Sequence, residues 1–271
     1  MTLIDTHCHL YLGKYDYDLK EVVERAIVSG VKKIFLPAID SETHGRVHAL
    51  TDKQLKAPNG TLISKEDFEV LPMMGVHPCS IKENFEEELA IALNHLNSGR
   101  KYYAVGEIGL DYYWDTSFKE QQMRAFERQI EWSLERNLPV VIHSRNSTVD
   151  CINILRQYEG RVKGIFHCFS GNLEEAKEII RLGLYLGIGG VITYKTSDLK
   201  DIIAKIGLKN IVLETDAPYL TPLPHRGKRN EPSYIKLTCA AVALALNKDI
   251  ERVAEITSEN ALSVFQISPV V

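Results

Sequence analysis

Eight apolar runs separated by helix-like stretches limit what this chain can fold into. They are TLIDTH (2–7), KKIFLPAI (32–39), VLPMMGVH (70–77), YYAVGEIG (102–109), PVVIHS (139–144), KGIFHCF (163–169), LYLGIGG (184–190) and NIVLETD (210–216). Their apolar character is continuous, not alternating, as burial on both faces of a parallel sheet demands. Between them, DLKEVVERAIVSG places Leu19, Val22, Val23, Ala26 and Ile27 on one helical face, and Gly30 suits the end. FKEQQMRAFERQIEWSLERN repeats Phe118, Met123, Phe126, Ile130 and Leu134 at helical spacing, and Pro139 closes it. NLEEAKEIIRLG opens at Asn172, a good N-cap, and stops at Gly183. Two or three more helices are expected in the C-terminal part.

This alternation predicts a (β/α)8 TIM barrel, one domain over residues 1–271. A doubly wound open sheet is the runner-up; no glycine-rich phosphate loop follows the first run to favour it. The polar stretch 51–69, with Pro58-Asn59-Gly60, reads as a surface loop.

The net charge of −4 excludes a global basic field for nucleic acid, so a polyanion must be captured locally. The five cysteines are odd in number, irregularly spaced and without a C-x-x-C, which argues against a disulfide framework and for a reducing, cytoplasmic setting. No run has the length of a membrane span, and the N-terminus lacks a signal-peptide layout. No membrane association and no obligate protein partner are expected.

His7, His9, His77, Glu107, His143, His167 and Asp216 all fall at C-terminal ends of the expected strands. A barrel opens those ends onto one face. In a strand, i and i+2 share a side, so His7 and His9 point together while Cys8 points away. Asp5, on the same side, is placed to orient a histidine. H-x-H alone is not decisive, and a lone histidine usually serves packing or hydrogen bonding; that structural role is favoured for His44, His48 and His95 on helices. Glu107, if buried, is costly unless paired or bound to a cation. His7, His9, Glu107, His143, His167 and Asp216 together point to a metal centre.

IDTHCHL, GVHP, VGEIGLDYY, VIHSR, FHCFSG, GIGGVITYK, LETDAPYLTP and RGKRNEP resemble the TatD family of metal-dependent deoxyribonucleases, from residue 3 to about 266. The resemblance implies a metal-dependent hydrolase barrel with two divalent ions. It implies that His7, His9 and Asp216 bind the first ion, that Glu107 bridges both, and that His143 and His167 complete the second. It also implies a DNA or short oligonucleotide substrate, cut at phosphodiester bonds, with 3′–5′ exonuclease action as one mode. Glu107 and Asp216 are the expected catalytic residues, Asp216 as proton acceptor. The identity of the ions is left open: the imidazoles suit zinc, manganese or cobalt, while the family is regarded as magnesium-dependent. The chain departs from several relatives at Cys79, where they carry histidine, and in its long 51–69 loop; both bear on substrate contacts.

Arg226, Lys228 and Arg229 in HRGKRNEP follow the eighth run. A charge run is usually solvated, but this position favours contact with phosphates. His77 and Arg145 are further candidates for holding phosphate. Tyr112, Tyr113, Trp114, Phe169 and Tyr194 also follow strand ends, where they either stack on unpaired bases or pack loops. Two rival functions stay open: hydrolysis of C–N or C–O bonds in a small metabolite, and a non-catalytic, metal-stabilised binding protein.

Overall fold

The computed structural model describes residues 1–268. Among the described residues, eight strands alternate with helices: β1 (Leu3–Asp5), α1 (Leu19–Val28), β2 (Val31–Leu36), α2 (Ser41–Thr51), β3 (Glu69–Pro72), α3 (Phe85–Leu96), β4 (Val105–Asp111), α4 (Lys119–Glu135), β5 (Val140–Arg145), α5 (Thr148–Arg156), β6 (Gly164–Phe166), α6 (Leu173–Arg181), β7 (Tyr185–Ile188), α7 (Leu199–Ile206) and β8 (Ile211–Leu213). Two helices, α8 (Ile235–Leu246) and α9 (Ile250–Val264), follow. Each expected strand is present within its apolar run or displaced by a few residues. Among the described residues, no helix is long and apolar enough to cross a membrane.

Two compact units build this order. Among the described residues, unit 1 comprises 1–36, 49–71 and 187–268, and unit 2 comprises 37–48 and 72–186.

In unit 1, β1 pairs in parallel with β2, with Ile4 opposite Lys33 and Asp5 opposite Ile34. Thr6 N donates to Leu213 O at 3.1 Å, tying the end of β1 to β8. Glu214 N in turn donates to Ile188 O at the end of β7 (3.2 Å). Leu3, Val31, Phe35 and Ile211 are fully buried, and Phe35 stacks on Phe265 from the end of α9 at 3.6 Å between centroids. Asp249 starts α9 by accepting from Glu251 N (2.7 Å). In the 51–69 loop, Ala57 N donates to Thr61 O at 2.9 Å, closing the turn that Pro58-Asn59-Gly60 announces.

In unit 2, β4, β5, β6 and the first half of β7 pair in parallel, with Gly109 opposite His143, Ile142 opposite Phe166, and Phe166 opposite Leu186. Gly109 is required there. It lies at φ +137°, and a Cβ on it would sit 2.0 Å from His143 O, so any side chain would push β5 and its histidine away. Met74, Val76, Leu89, Ala92 and Trp132 pack a buried core beneath α3 and α4. Two glutamines of α4 act as clamps: Gln129 bonds both Val76 N and Val76 O (2.7 and 3.2 Å), and Gln122 does the same for Asp111 (2.9 and 3.2 Å). These bonds satisfy backbone groups at strand ends that no ladder reaches.

Two differences from expectation have local causes. β3 stops at Pro72, which has no N–H for the ladder, and the chain runs on extended to His77, whose N donates to Ile39 O at 2.7 Å. β4 begins later and ends later than its run, at Asp111. Asn172 caps α6 in a full capping box with Glu175, as its sequence suggests.

Candidate metal centre

Unit 1 brings His7, His9 and Asp216 together. Their facing atoms are His7 Nε2 and His9 Nε2, 3.3 Å apart, with Asp216 Oδ1 3.8 and 3.5 Å from them. The i, i+2 rule holds: Cys8 points away and lies buried against Ala217 O. His9 is oriented through Nδ1, which meets Tyr11 Oη at 2.9 Å. Asp216 adopts φ +52°, a left-handed conformation uncommon outside glycine. It is held by Asp216 N to His7 O (2.9 Å) and by Tyr219 N to Asp216 O (2.8 Å). These bonds hold the turn that places the carboxylate beside the two imidazoles.

Asp5 does not orient an imidazole. Its carboxylate accepts from Thr215 Oγ1 (2.6 Å), Thr215 N (3.0 Å) and the His7 backbone N (3.3 Å), so it locks the backbone on which the ligands stand. Burial pushes Asp5 up to about 8 against the pull of those donors.

Unit 2 gathers Glu107, His143, His167 and His77. Glu107 Oε1 is 3.0 Å from His143 Nδ1, 3.6 Å from His77 Nε2 and 3.7 Å from His167 Nε2. The other nitrogen of His143, Nε2, meets Asp111 Oδ2 at 2.8 Å. Burial opposes charge on His143, but the hydrogen bonds to Asp111 and Glu107 prevail and raise its pKa. Burial likewise pushes Asp111 up, yet the His143 bond and the Tyr113 N–H outweigh it, leaving Asp111 at about 2. Asp111 was not among the expected site residues. Its signal was parity: Glu107, Gly109 and Asp111 alternate along one strand and face one side.

His77 differs from the others. Its Nδ1 accepts from Cys79 N (3.0 Å), so the neutral ring carries its proton on Nε2. That makes Nε2 a donor, suited to an oxygen of a substrate more than to a cation. Cys79 is partly buried, and burial followed by the nearby Asp111 pushes its thiol up to about 12.

The donor sets fit divalent cations. Imidazole nitrogens and a carboxylate oxygen converge within coordination reach in each unit: His7, His9 and Asp216 in the first, Glu107, His143 and His167 in the second. Charges so buried are otherwise costly. In unit 2 the pairing of His143 with Asp111 leaves Nδ1 for a cation, the usual carboxylate–histidine–metal order.

The expected phosphate contacts are sorted by the structure. Arg226 and Lys228 are exposed, and Arg226 lies over the Tyr194 ring at 4.4 Å. Arg229 spends its guanidinium fork on Asp18 (2.8 and 2.5 Å) and on Lys14 O, so in this structure it anchors the loop. Arg145 is exposed and stacks over Tyr113. Phe169 is buried, and the half-buried Tyr112 donates to Asp150 (3.1 Å) and has Lys119 Nζ over its ring at 4.4 Å, so neither presents an open ring.

Comparison with known proteins identifies the family and the fold. The family model described as TatD related DNase matches residues 4–266. A metal-dependent hydrolase of Bacillus subtilis, YabD, is 39% identical over 98% of this chain and 100% of its own length. The Escherichia coli metal-dependent hydrolase YcfH is 31% identical over 98% of this chain and 97% of its own. The crystal structure of the Escherichia coli TatD homologue YjjV superposes with a TM-score of 0.87 at 29% identity, covering 98% of each chain. The fold class is therefore the (β/α)8 barrel of metal-dependent hydrolases, and the open doubly wound sheet is set aside.

Proposed function

From the premise that this chain belongs to the TatD-related DNase family, we propose that it is a metal-dependent phosphodiesterase acting on DNA, with two divalent cations. The observation that carries this reading is the pair of donor groups, His7–His9–Asp216 and Glu107–His143–His167, each mixing imidazole with carboxylate. His7, His9 and Asp216 would hold one cation, and Glu107, His143 and His167 the other. Bound divalent cations supply an activated water and charge relief at phosphorus.

The residues of the chain do the rest. Asp216 accepts the proton of the attacking water; its carboxylate is 13% exposed and so reachable by solvent, unlike the buried Asp5 behind it. Asp111 fixes the ring of His143. His77 Nε2–H donates to a phosphate oxygen. Arg226, Lys228 and Arg145 meet backbone phosphates, with Arg229 holding the loop that carries the first two. This local capture suits a chain with net charge −4. Five free thiols suit a reducing, cytoplasmic setting.

The test is nuclease activity on single-stranded DNA before chelation, after it, and after return of magnesium, manganese or zinc. Activity lost on chelation and restored by metal supports the reading, as does binding that weakens steeply with salt. The acidic net charge favours, as a second reading, a small-metabolite hydrolase. Turnover of lactones or amides, with none of DNA under the same metal, would replace the first reading with that one.

A further inference from the structure

Directly after Asp111, the chain exposes two large aromatic side chains. Trp114 is 70% and Tyr113 52% exposed. Their rings meet edge to face at 4.8 Å between centroids. The Arg145 guanidinium lies 3.7 Å from the Tyr113 ring centroid and 5.4 Å from that of Trp114. Among the described residues, Arg145 makes no ion pair and no side-chain hydrogen bond, so its donors stay available. The group is tied to the site by short bonds. Tyr113 N donates to Asp111 Oδ1 (2.9 Å), Tyr112 N donates to Arg145 O (2.9 Å), and Arg145 is two residues beyond His143 on β5.

Packing does not explain this arrangement. A loop-packing aromatic buries its ring, as Phe169 does, whereas Trp114 keeps most of its surface in water. A cation with unspent donors, stacked on one half-exposed ring and next to a second, more open one, is how proteins hold single-stranded nucleic acid: rings stack on bases and the guanidinium meets phosphate.

The geometry points to Tyr113, Trp114 and Arg145 as a shelf that stacks an unpaired base of single-stranded DNA next to the Glu107–His143 group. This rests on the DNA reading given above and deepens it, because it selects frayed or single-stranded ends over intact duplex, whose bases are already stacked.

The experiment compares the wild type with Trp114→Ala, Trp114→Phe and Tyr113→Ala. The metal-loaded proteins are assayed on a short single-stranded deoxyoligonucleotide and on its blunt duplex. KM on the single strand should rise about tenfold in Trp114→Ala with kcat unchanged, while Trp114→Phe, which keeps a π face, stays near wild type. Duplex cleavage should respond little. Trp132, the other of the two tryptophans, is buried, so quenching of exposed emission reports on Trp114. A non-hydrolysable phosphorothioate strand should quench the wild type and leave Trp114→Phe unchanged. If the wild type cleaves no DNA and the strand produces no quenching, the function proposed above fails together with the shelf. If the wild type cleaves single strands while Trp114→Ala and Tyr113→Ala match it in KM, the shelf alone is overturned.

Discussion

Unit 2 holds two gatherings of three imidazoles, and they behave in opposite ways. His77, His143 and His167 surround the carboxylate of Glu107, with Asp111 behind His143. His44 and His48 on α2 meet His95 on α3 edge to face, at 5.1 and 4.9 Å between centroids, and Asp40 and Glu88 act on His44 only as a weaker pull behind burial and the His95 ring. His48 instead pairs with Tyr102 Oη at 2.8 Å. The hydrogen bonds to carboxylates raise the pKa of His143 despite burial. Burial, then the neighbouring His95, lowers His44 to about 4. Three histidines in contact are thus not by themselves a cation site. The carboxylate turns an aromatic packing cluster into a charged one that can receive a metal.

Replacing the carboxylate should give the largest effect. Glu107→Ala is expected to reduce hydrolysis to background while circular dichroism and thermal unfolding remain those of a folded barrel. A Glu107→Ala enzyme that keeps wild-type turnover would erase the distinction between the two clusters.

Asp111→Asn keeps shape but removes the charge that fixes His143. Metal affinity, read by calorimetry, should fall roughly ten- to a hundredfold, as for other carboxylates that support a metal-bound histidine. Unchanged affinity would show that Asp111 is only a packing residue.

The second cluster predicts an acid-labile fold. In the unfolded chain His44 takes up a proton near pH 6.5, but in the fold only near about 4. Protons therefore favour the unfolded state across this window, and stability present at pH 7 is lost as pH falls from 6.5 towards 4. The loss attributable to His44 should reach about 3 kcal/mol at the acid end. Denaturant unfolding at several pH values should show a flatter profile in His44→Phe than in the wild type; parallel profiles would contradict it. The smallest effect is expected from Tyr102→Phe, which removes the bond to His48. It should lower stability by about 1 kcal/mol and leave metal affinity unchanged.

Much of this was legible in the sequence, for physical reasons. Parallel strands buried on both faces write continuous apolar runs, and a histidine or glutamate ending such a run stands out against them. His7, His9, Glu107, His143, His167 and Asp216 were conspicuous for that reason. Asp111 was hidden because the apolar run 102–109 stops short of it, and an acid after such a run reads as loop; the two-residue period from Glu107 was the overlooked clue. The engagement of Arg229 was not legible, because its partner Asp18 lies 211 residues away in sequence and only the fold joins them. Exposure was equally hidden: Phe169 and Trp114 both follow strand ends, yet one is buried and the other open.

The most direct test is metal content per chain after reconstitution and dialysis, measured by elemental analysis on the wild type, Glu107→Ala and the double variant His44→Phe/His48→Phe. The expected result is two divalent ions in the wild type, fewer in Glu107→Ala, and two again in the double variant. Metal lost from the double variant but retained by Glu107→Ala would contradict the claim that the carboxylate makes the site.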